Sequence, residues 1–297
     1  MTRNSGGKME IFAKTISIQL LEQLKEGETY KIHSRFSHGL NLEVGGRLSF
    51  IGNKEDEILP YGILLPKEEL VKLDSLKSNE SFLWKNGTFF MENGCLNTKQ
   101  VRGYSNTLPV FSNYGEEIKK VENKKEMMDR FSYPELDTRI TGFSESIRQA
   151  GSMEEDRKKE LARAVVTGEG LEDVLPKWIG AGVGLTPSGD DYLTGILIAN
   201  SLYGFASFKF IEEVKKYLEE GYTTDIGKNQ LLCAIEGLFG SSWIGFLKAF
   251  VETDELEMKT NFYKILSYGH TSGSDMFAGF CMGLNIVENF KRCENKI

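Results

Sequence analysis

Two stretches of this 297-residue chain bring together the residue types that chemistry needs. In GAGVGLTPSGDDYLTGIL (180–197), Gly180, Gly182, Gly184 and Gly189 lead into the adjacent carboxylates Asp190 and Asp191 and then an apolar run. In YGHTSGSDMFAGFCMGL (268–284) the pattern returns 84 positions later: Ser188, Gly189, Asp191 and Gly195 correspond to Ser272, Gly273, Asp275 and Gly279. Each serine with the aspartate three positions on matches a capping box, so the spacing predicts a helix starting at each serine. Free N–H groups and the helix dipole at such starts favour a phosphate or carboxylate. Asp190 and Asp191 would repel an anion unless they face an amide, an ammonium or a metal ion. A ligand with an acidic end and an N–H-bearing end resolves that conflict. Mg²⁺ held between carboxylate and phosphate would resolve it as well, although two adjacent aspartates are weak evidence for a metal, and no cofactor is assigned. Capping alone accounts for the serines and their paired aspartates, but leaves Asp190, Gly182, Gly184 and His270 without a task.

Both predicted helices are apolar nearly all round beyond their first turn, which makes them central and buried. Small residues four apart, Gly195 with Ala199 and Gly279 with Gly283, would let two backbones approach closely. The two helices are therefore expected to pack together and join their polar beginnings in one site. The rest of the C-terminal portion, with KKELARAVVTG, FIEEVKKYLEEG, NQLLCAIEGLFG and SSWIGFLKAF, is also helical in spacing. Earlier, LEV-GG-RLSFI (42–51) and FLWK-NG-TFF (82–90) read as hairpins, because Gly-Gly and Asn-Gly accept the positive φ of tight turns. Residues 9–25 carry apolar positions at helical spacing and predict one opening helix. The expectation is an α+β chain: an N-terminal helix plus a β-rich domain (1–112, a small barrel or sandwich), then a larger mainly helical domain (113–297) with two buried central helices. The boundary is placed at the charged segment starting near 112.

Composition narrows the function. A net charge of -7 argues against a general nucleic-acid binder. Four scattered cysteines without a CxxC pair, beside three histidines, fit a reduced cytoplasmic compartment. Cys233 and Cys281 fall in apolar helices and read as core. The first residues lack a signal-peptide core and read as a loose end, and no run is long and apolar enough for a membrane span.

GLTPSGDDYLTG (184–195) followed by GHTSGSDMFAG (269–279) closely resembles the paired signatures of the AllH-type family, the H subunit of oxamate carbamoyltransferase. HSRFSHGLNLEVGGRLSFIG (33–52) is similar to that family's early segment, with Ser34 to Phe36, Asn41 and Leu42 in place. The likeness runs from about residue 28 to 290. It departs at YSNTLP (104–109), where the family pattern has tryptophan and proline. The resemblance implies a part in anaerobic allantoin breakdown. There a carbamoyl group passes between oxalurate or oxamate and phosphate or carbamoyl phosphate, in company with two further subunits of the F and G types. It implies no nucleic-acid or membrane partner.

For that reaction, backbone N–H groups around Ser188 and Gly189, or Ser272 and Gly273, would hold phosphate or carboxylate. Asp190 or Asp191 would orient or deprotonate the amide, and His270 would polarise the carbonyl or shuttle a proton. Thr186 and Asp275 complete the helical set, while His38 and Asn41 would reach in from the β domain. Arg47 and Arg102 are weaker candidates as carboxylate clamps. A noncatalytic subunit that binds a nucleotide or carboxylate and scaffolds or regulates catalytic partners is the alternative. A metal-dependent amidohydrolase would need more His or acidic ligands than the chain assembles.

Overall fold

The computed structural model describes residues 9–77, 79–109 and 152–294. The chain divides into a unit of Met1–Thr107 with Phe239–Ser241 and a unit of Leu108–Leu238 with Ser242–Ile297. The boundary expected at 112/113 lies outside the described residues.

The first unit is built on strands β1 (Met9–Phe12), β2 (Thr15–Ser17), β3 (Thr29–Phe36), β4 (Gly39–Val44), β5 (Arg47–Gly52), β6 (Ile63–Leu64), β7 (Ser81–Lys85), β8 (Thr88–Met91), β9 (Gly94–Asn97) and β10 (Arg102–Tyr104), with short helices α1 (Ile18–Gln23) and α2 (Leu70–Asp74). They join one sheet in the order β1-β9-β8-β7-β3-β4-β5-β6-β2-β10. β1 and β2 stand near opposite ends of that order, yet only Ala13 and Lys14 separate them. In a flat sheet they would lie roughly 38 Å apart, whereas that link spans at most about 11 Å. The sheet must therefore curl until its ends approach each other, as a barrel does.

Both predicted hairpins are present. β4 pairs with β5 across Gly45 (φ 59°) and Gly46 (φ 76°), and β7 with β8 across Asn86 (φ 50°) and Gly87 (φ 70°). Positive φ at both central residues matches the strands' right-handed twist. The opening helix over 9–25 is not formed. Met9–Phe12 and Thr15–Ser17 are strands β1 and β2, paired in parallel with β9 and β10, and only Ile18–Gln23 is helical. Ile11 and Ile16 are buried while Phe12 stays exposed. The helical spacing there was a weak local prior, overridden by pairing that suits β-branched Thr15 and Ile16.

The described part of the second unit is helical: α3 (Ser152–Thr167), α4 (Leu171–Val174), α5 (Ser188–Tyr203), α6 (Phe208–Glu219), α7 (Asp225–Ile235), α8 (Ser241–Glu252), α9 (Glu255–Ser267) and α10 (Ser272–Glu294). Helix α5 is buried from Ser188 through Ala199, as its all-round apolar sequence predicts. Helix α10 presents two different faces. Phe277 stacks on Trp243 of α8, Phe277 and Phe280 meet Phe246 and Phe250 of α8 edge-on, and Phe277 meets Phe262 of α9 edge-on. Gly279 and Gly283 face α5 instead. Large rings on one side and bare backbone on the other fix how α10 is rotated and hold it close to α5.

No helix among the described residues is long and apolar enough to cross a membrane.

Candidate functional site

The α5–α10 contact repeats the sequence pattern in three dimensions. A Cβ added at Gly195 would fall on the carbonyl oxygen of Met276, and one at Gly279 on the carbonyl oxygen of Tyr192. Adding 84 to 192 and 195 gives 276 and 279, so the two contacts exchange under the same relation that links the motifs. The helices thus meet about a local pseudo-two-fold, and the corresponding acids Asp191 and Asp275 interact electrostatically across it. Gly189 and Gly273 repeat the logic six residues earlier, where a Cβ would strike the carbonyls of Trp178 and Ile265.

The capping boxes are not formed. Pro187 is the N-cap of α5, and the Asp191 amide donates to the Pro187 carbonyl. Likewise the Asp275 amide donates to the Thr271 carbonyl rather than to the Ser272 hydroxyl. Each helix begins one residue earlier than the box requires, so Asp191 and Asp275 sit one position too far along to close it. That frees Asp191 for other partners. Its Oδ1 accepts from Gln230 Nε2 on α7 at 2.7 Å, and the Gln230 amide also reaches Thr194 Oγ1 at 3.2 Å. Asp191 Oδ2 is buried without a hydrogen-bond partner, Ser272 lies near enough to favour the Asp191 carboxylate, and the Ser272 hydroxyl lies 2.8 Å from that of Thr186. Thr186 and Ser272 are half-buried, whereas Asp191 is fully buried. A line of oxygens therefore runs from the interior acid to the glycine-rich loop.

Burial dominates the electrostatics. It pushes Asp191 up to about 8, with the Gln230 hydrogen bond and the nearby Ser272 opposing the shift and Asp275 and Asp190 raising it further. Near neutrality Asp191 is therefore mostly a protonated carboxylic acid, able to donate.

Asp190 is occupied differently. Its Oδ1 accepts the Gly180 amide at 2.8 Å and its Oδ2 accepts the Thr223 hydroxyl, while burial raises its pKa against both bonds. Gly227 leaves the space, since a Cβ there would meet Asp190 Oδ2. Asp190 thus ties the loop before α5 and the turn before α7 to the helix. The same loop needs its glycines. Gly180 (φ 72°) lies against the Tyr222 carbonyl, and Gly182 (φ 117°) folds over Ser188, where an added Cβ would approach the amide to 2.8 Å. Replacing Thr223 with valine keeps the shape but deletes the donor to Asp190. We expect a loss of about 1–3 kcal/mol of stability, measured by thermal melting, with faster hydrogen exchange at the Gly180 amide. An unchanged exchange rate would remove the clamp.

The predicted residues separate into groups. Thr186, Ser188, Gly189, Asp190, Asp191, Ser272, Gly273 and Asp275 all lie at the starts of α5 and α10 or in the loop leading to α5. The amides of Gly189 and Gly273 donate to the carbonyls of Ala181 and Tyr268, so both are committed within the fold. His270 is exposed in the turn before α10. Asn41 and His38 belong to the β unit. Asn41 Nδ2 donates to Ser34 Oγ at 3.1 Å, and the His38 ring stacks on Phe36 with its pKa lowered, first by burial and then by Lys54. Sequence reasoning missed Gln230 and Thr223. The one available signal for Gln230 was an uncharged polar side chain entering the apolar run LLCAI. Among the described residues, no group of three or more His, Cys, Asp or Glu is placed to hold a metal ion.

Residues 178–284, which span both helix starts, match the family described as oxamate carbamoyltransferase subunit AllH, and residues 12–102 match the AllH family N-terminal domain. The chain belongs to the AllH family. The AllH match covers Thr186, the Ser188–Asp191 start, Gln230 and the Ser272–Asp275 start together, and the N-terminal match covers most of the β unit. The family description makes this AllH chain a subunit of a multisubunit carbamoyltransferase. No solved structure matches it.

Proposed function

We propose that this chain supplies a proton-donating acid to an oxamate carbamoyltransferase, in anaerobic allantoin catabolism and in company with F-type and G-type subunits. The reading rests on one observation above all: the buried acid Asp191, its Oδ2 without a partner, has Ser272 beside it, and Ser272 is hydrogen-bonded to Thr186, so that both motifs meet there. Family membership supports the reaction class.

In the direction of carbamoyl phosphate formation, an oxygen of hydrogen phosphate attacks the ureido carbonyl of oxalurate and forms a C–O bond. The C–N bond to the departing oxamate breaks, and that nitrogen needs a proton. Asp191, neutral near pH 7, gives up its proton through the Ser272 and Thr186 hydroxyls. The hydroxyl proton of the incoming phosphate, released as carbamoyl phosphate ionises, restores the acid. In the reverse direction the same carboxylate accepts a proton from the oxamate amide. Gln230 holds the acid in place, and exposed His270 is the candidate for contacting substrate at the mouth.

The test is carbamoyl phosphate production from oxalurate and phosphate by the complex reassembled from purified subunits. Ser272→Ala breaks the line, and a fall of about ten- to a hundredfold in kcat with little change in KM is expected. Thr186→Val should fall less, because water can stand in at the half-buried end. Full activity in a folded Ser272→Ala complex overturns the relay and favours the noncatalytic binding subunit.

A further inference from the structure

The glycine-rich loop before α5 has an outer side that proton transfer does not use. Val183 at its tip is 92% exposed and Leu185 is 55% exposed. On the turn before α7, Tyr222 is 46% exposed. The two segments are tied to each other and to the helices behind them. Asp190 accepts from both the Gly180 amide and the Thr223 hydroxyl. The Thr224 hydroxyl donates to the Leu185 carbonyl while accepting the Gly227 amide at 2.9 Å as the cap of α7. Thr186, the next residue, is bonded to Ser272. The Tyr222 ring packs edge-on against Tyr217, with centroids 4.7 Å apart. Three large apolar side chains are therefore held in water by a scaffold that fixes their positions in advance, which lowers the ordering cost of any association that covers them.

Charge is distributed to match. Residues 178–189 and 221–224 contain no charged side chain, although 27% of the whole chain is charged. Exposed Lys177, Glu220 and Asp225 stand just outside them. An apolar centre that includes a tyrosine, inside a charged rim, has the composition of a protein interface. The family description makes the chain one subunit of a larger enzyme, so it has a protein partner to be covered by. The tip also adjoins Thr186, the half-buried end of the path from Asp191, where a covering protein would exclude water. We propose that Val183, Leu185 and Tyr222 anchor another subunit of the carbamoyltransferase, one that presents an apolar socket with basic side chains toward Glu220 and Asp225. A stable interface buries about 800 Å² on each partner, so these three side chains are its anchor and the contact extends beyond them.

This inference rests on the F-type and G-type partners of the reading above but not on the proton relay, so association is measured without turnover. The full-length chain is titrated with each purified subunit, and with both together, by biolayer interferometry and analytical ultracentrifugation. Val183→Asp and Tyr222→Ala should each weaken binding at least about tenfold, while the variant chains alone melt within a few degrees of wild type. Glu220→Lys should slow association several-fold and leave dissociation unchanged. Ser272→Ala should assemble as wild type does, whatever its activity. A wild-type chain that binds neither subunit would overturn this proposal together with the assignment of the partners. Wild-type binding that Val183→Asp and Tyr222→Ala leave unchanged would overturn this proposal alone, as would an unchanged association rate in Glu220→Lys. Self-association of the chain that Val183→Asp disperses would place a second copy on the tip. Normal assembly of Val183→Asp with a raised KM for oxalurate would make the tip a cover for substrate, and either result overturns the proposal.

Discussion

Gly279→Val is expected to prevent the helical unit from folding. The first atom of the new side chain would occupy the position of the Tyr192 carbonyl oxygen on α5, and neither helix can retreat. On its opposite face α10 is held by Phe277 and Phe280 against the rings of α8 and α9, while α5 is buried through its first three turns. Overpacking where side chains can shift costs about 1–3 kcal/mol. Here the obstacle is backbone, so the loss should exceed about 4 kcal/mol, a large part of a typical domain's total stability. Gly195→Val should behave alike, because its Cβ falls on the Met276 carbonyl by the same pseudo-two-fold relation. The comparison variant is Gly204→Ala, at the left-handed end of α5 (φ 61°) with nothing within 4 Å of the added atom. It should lose only about 1 kcal/mol. Soluble yield and thermal melting of the three variants check this. Melting of Gly279→Val within a few degrees of wild type would mean that the two helices do not touch as described.

The helix pairing was legible because it is written in residue size. Small residues four apart on an apolar helix have few uses, and repetition of Gly195 with Ala199 as Gly279 with Gly283, 84 positions later, pointed to the partner surface. The hairpins were legible for a similar reason, since Gly45–Gly46 and Asn86–Gly87 must satisfy a local dihedral requirement that few other residues meet. Strands β1 and β2 were not legible, because pairing with β9 and β10 depends on residues some 85 positions away and leaves no local mark. The capping boxes failed by one residue. Pro187 and Thr271 supply the carbonyls that Asp191 and Asp275 amides use, and that shift turns structural caps into inward-facing acids. A pattern match cannot see such an offset, yet the chemistry of the site depends on it. Gln230 and Thr223 come from a third segment, and only the packing of α7 beside α5 brings them to the aspartates.

Asp191→Asn should separate the acid's effect on stability from its effect on catalysis. In the unfolded chain this carboxyl has the ordinary value of 3.8, and in the fold it rises to about 8. Between those values the native state keeps a proton that the unfolded state releases, so the group's stabilising contribution is complete below about pH 4 and is lost as pH rises to about 8. A shift of that size corresponds to something on the order of 5 kcal/mol across the window. Asparagine has no proton to lose and still offers Gln230 an acceptor oxygen. The variant should therefore melt at a temperature that falls less between pH 5 and pH 8.5 than the wild type's does, with Asp190, also raised by burial, supplying a residual slope. Catalysis should move the opposite way. With no proton to pass to Ser272, the reassembled complex should lose roughly 10²–10⁴-fold in kcat, and the fall in wild-type activity above pH 8 should disappear from whatever rate remains. A variant that is flatter in stability and nearly dead in turnover is the signature of a donating acid. One that is flatter in stability and fully active would make Asp191 a buried structural group, with the carbamoyl transfer carried out by the other subunits.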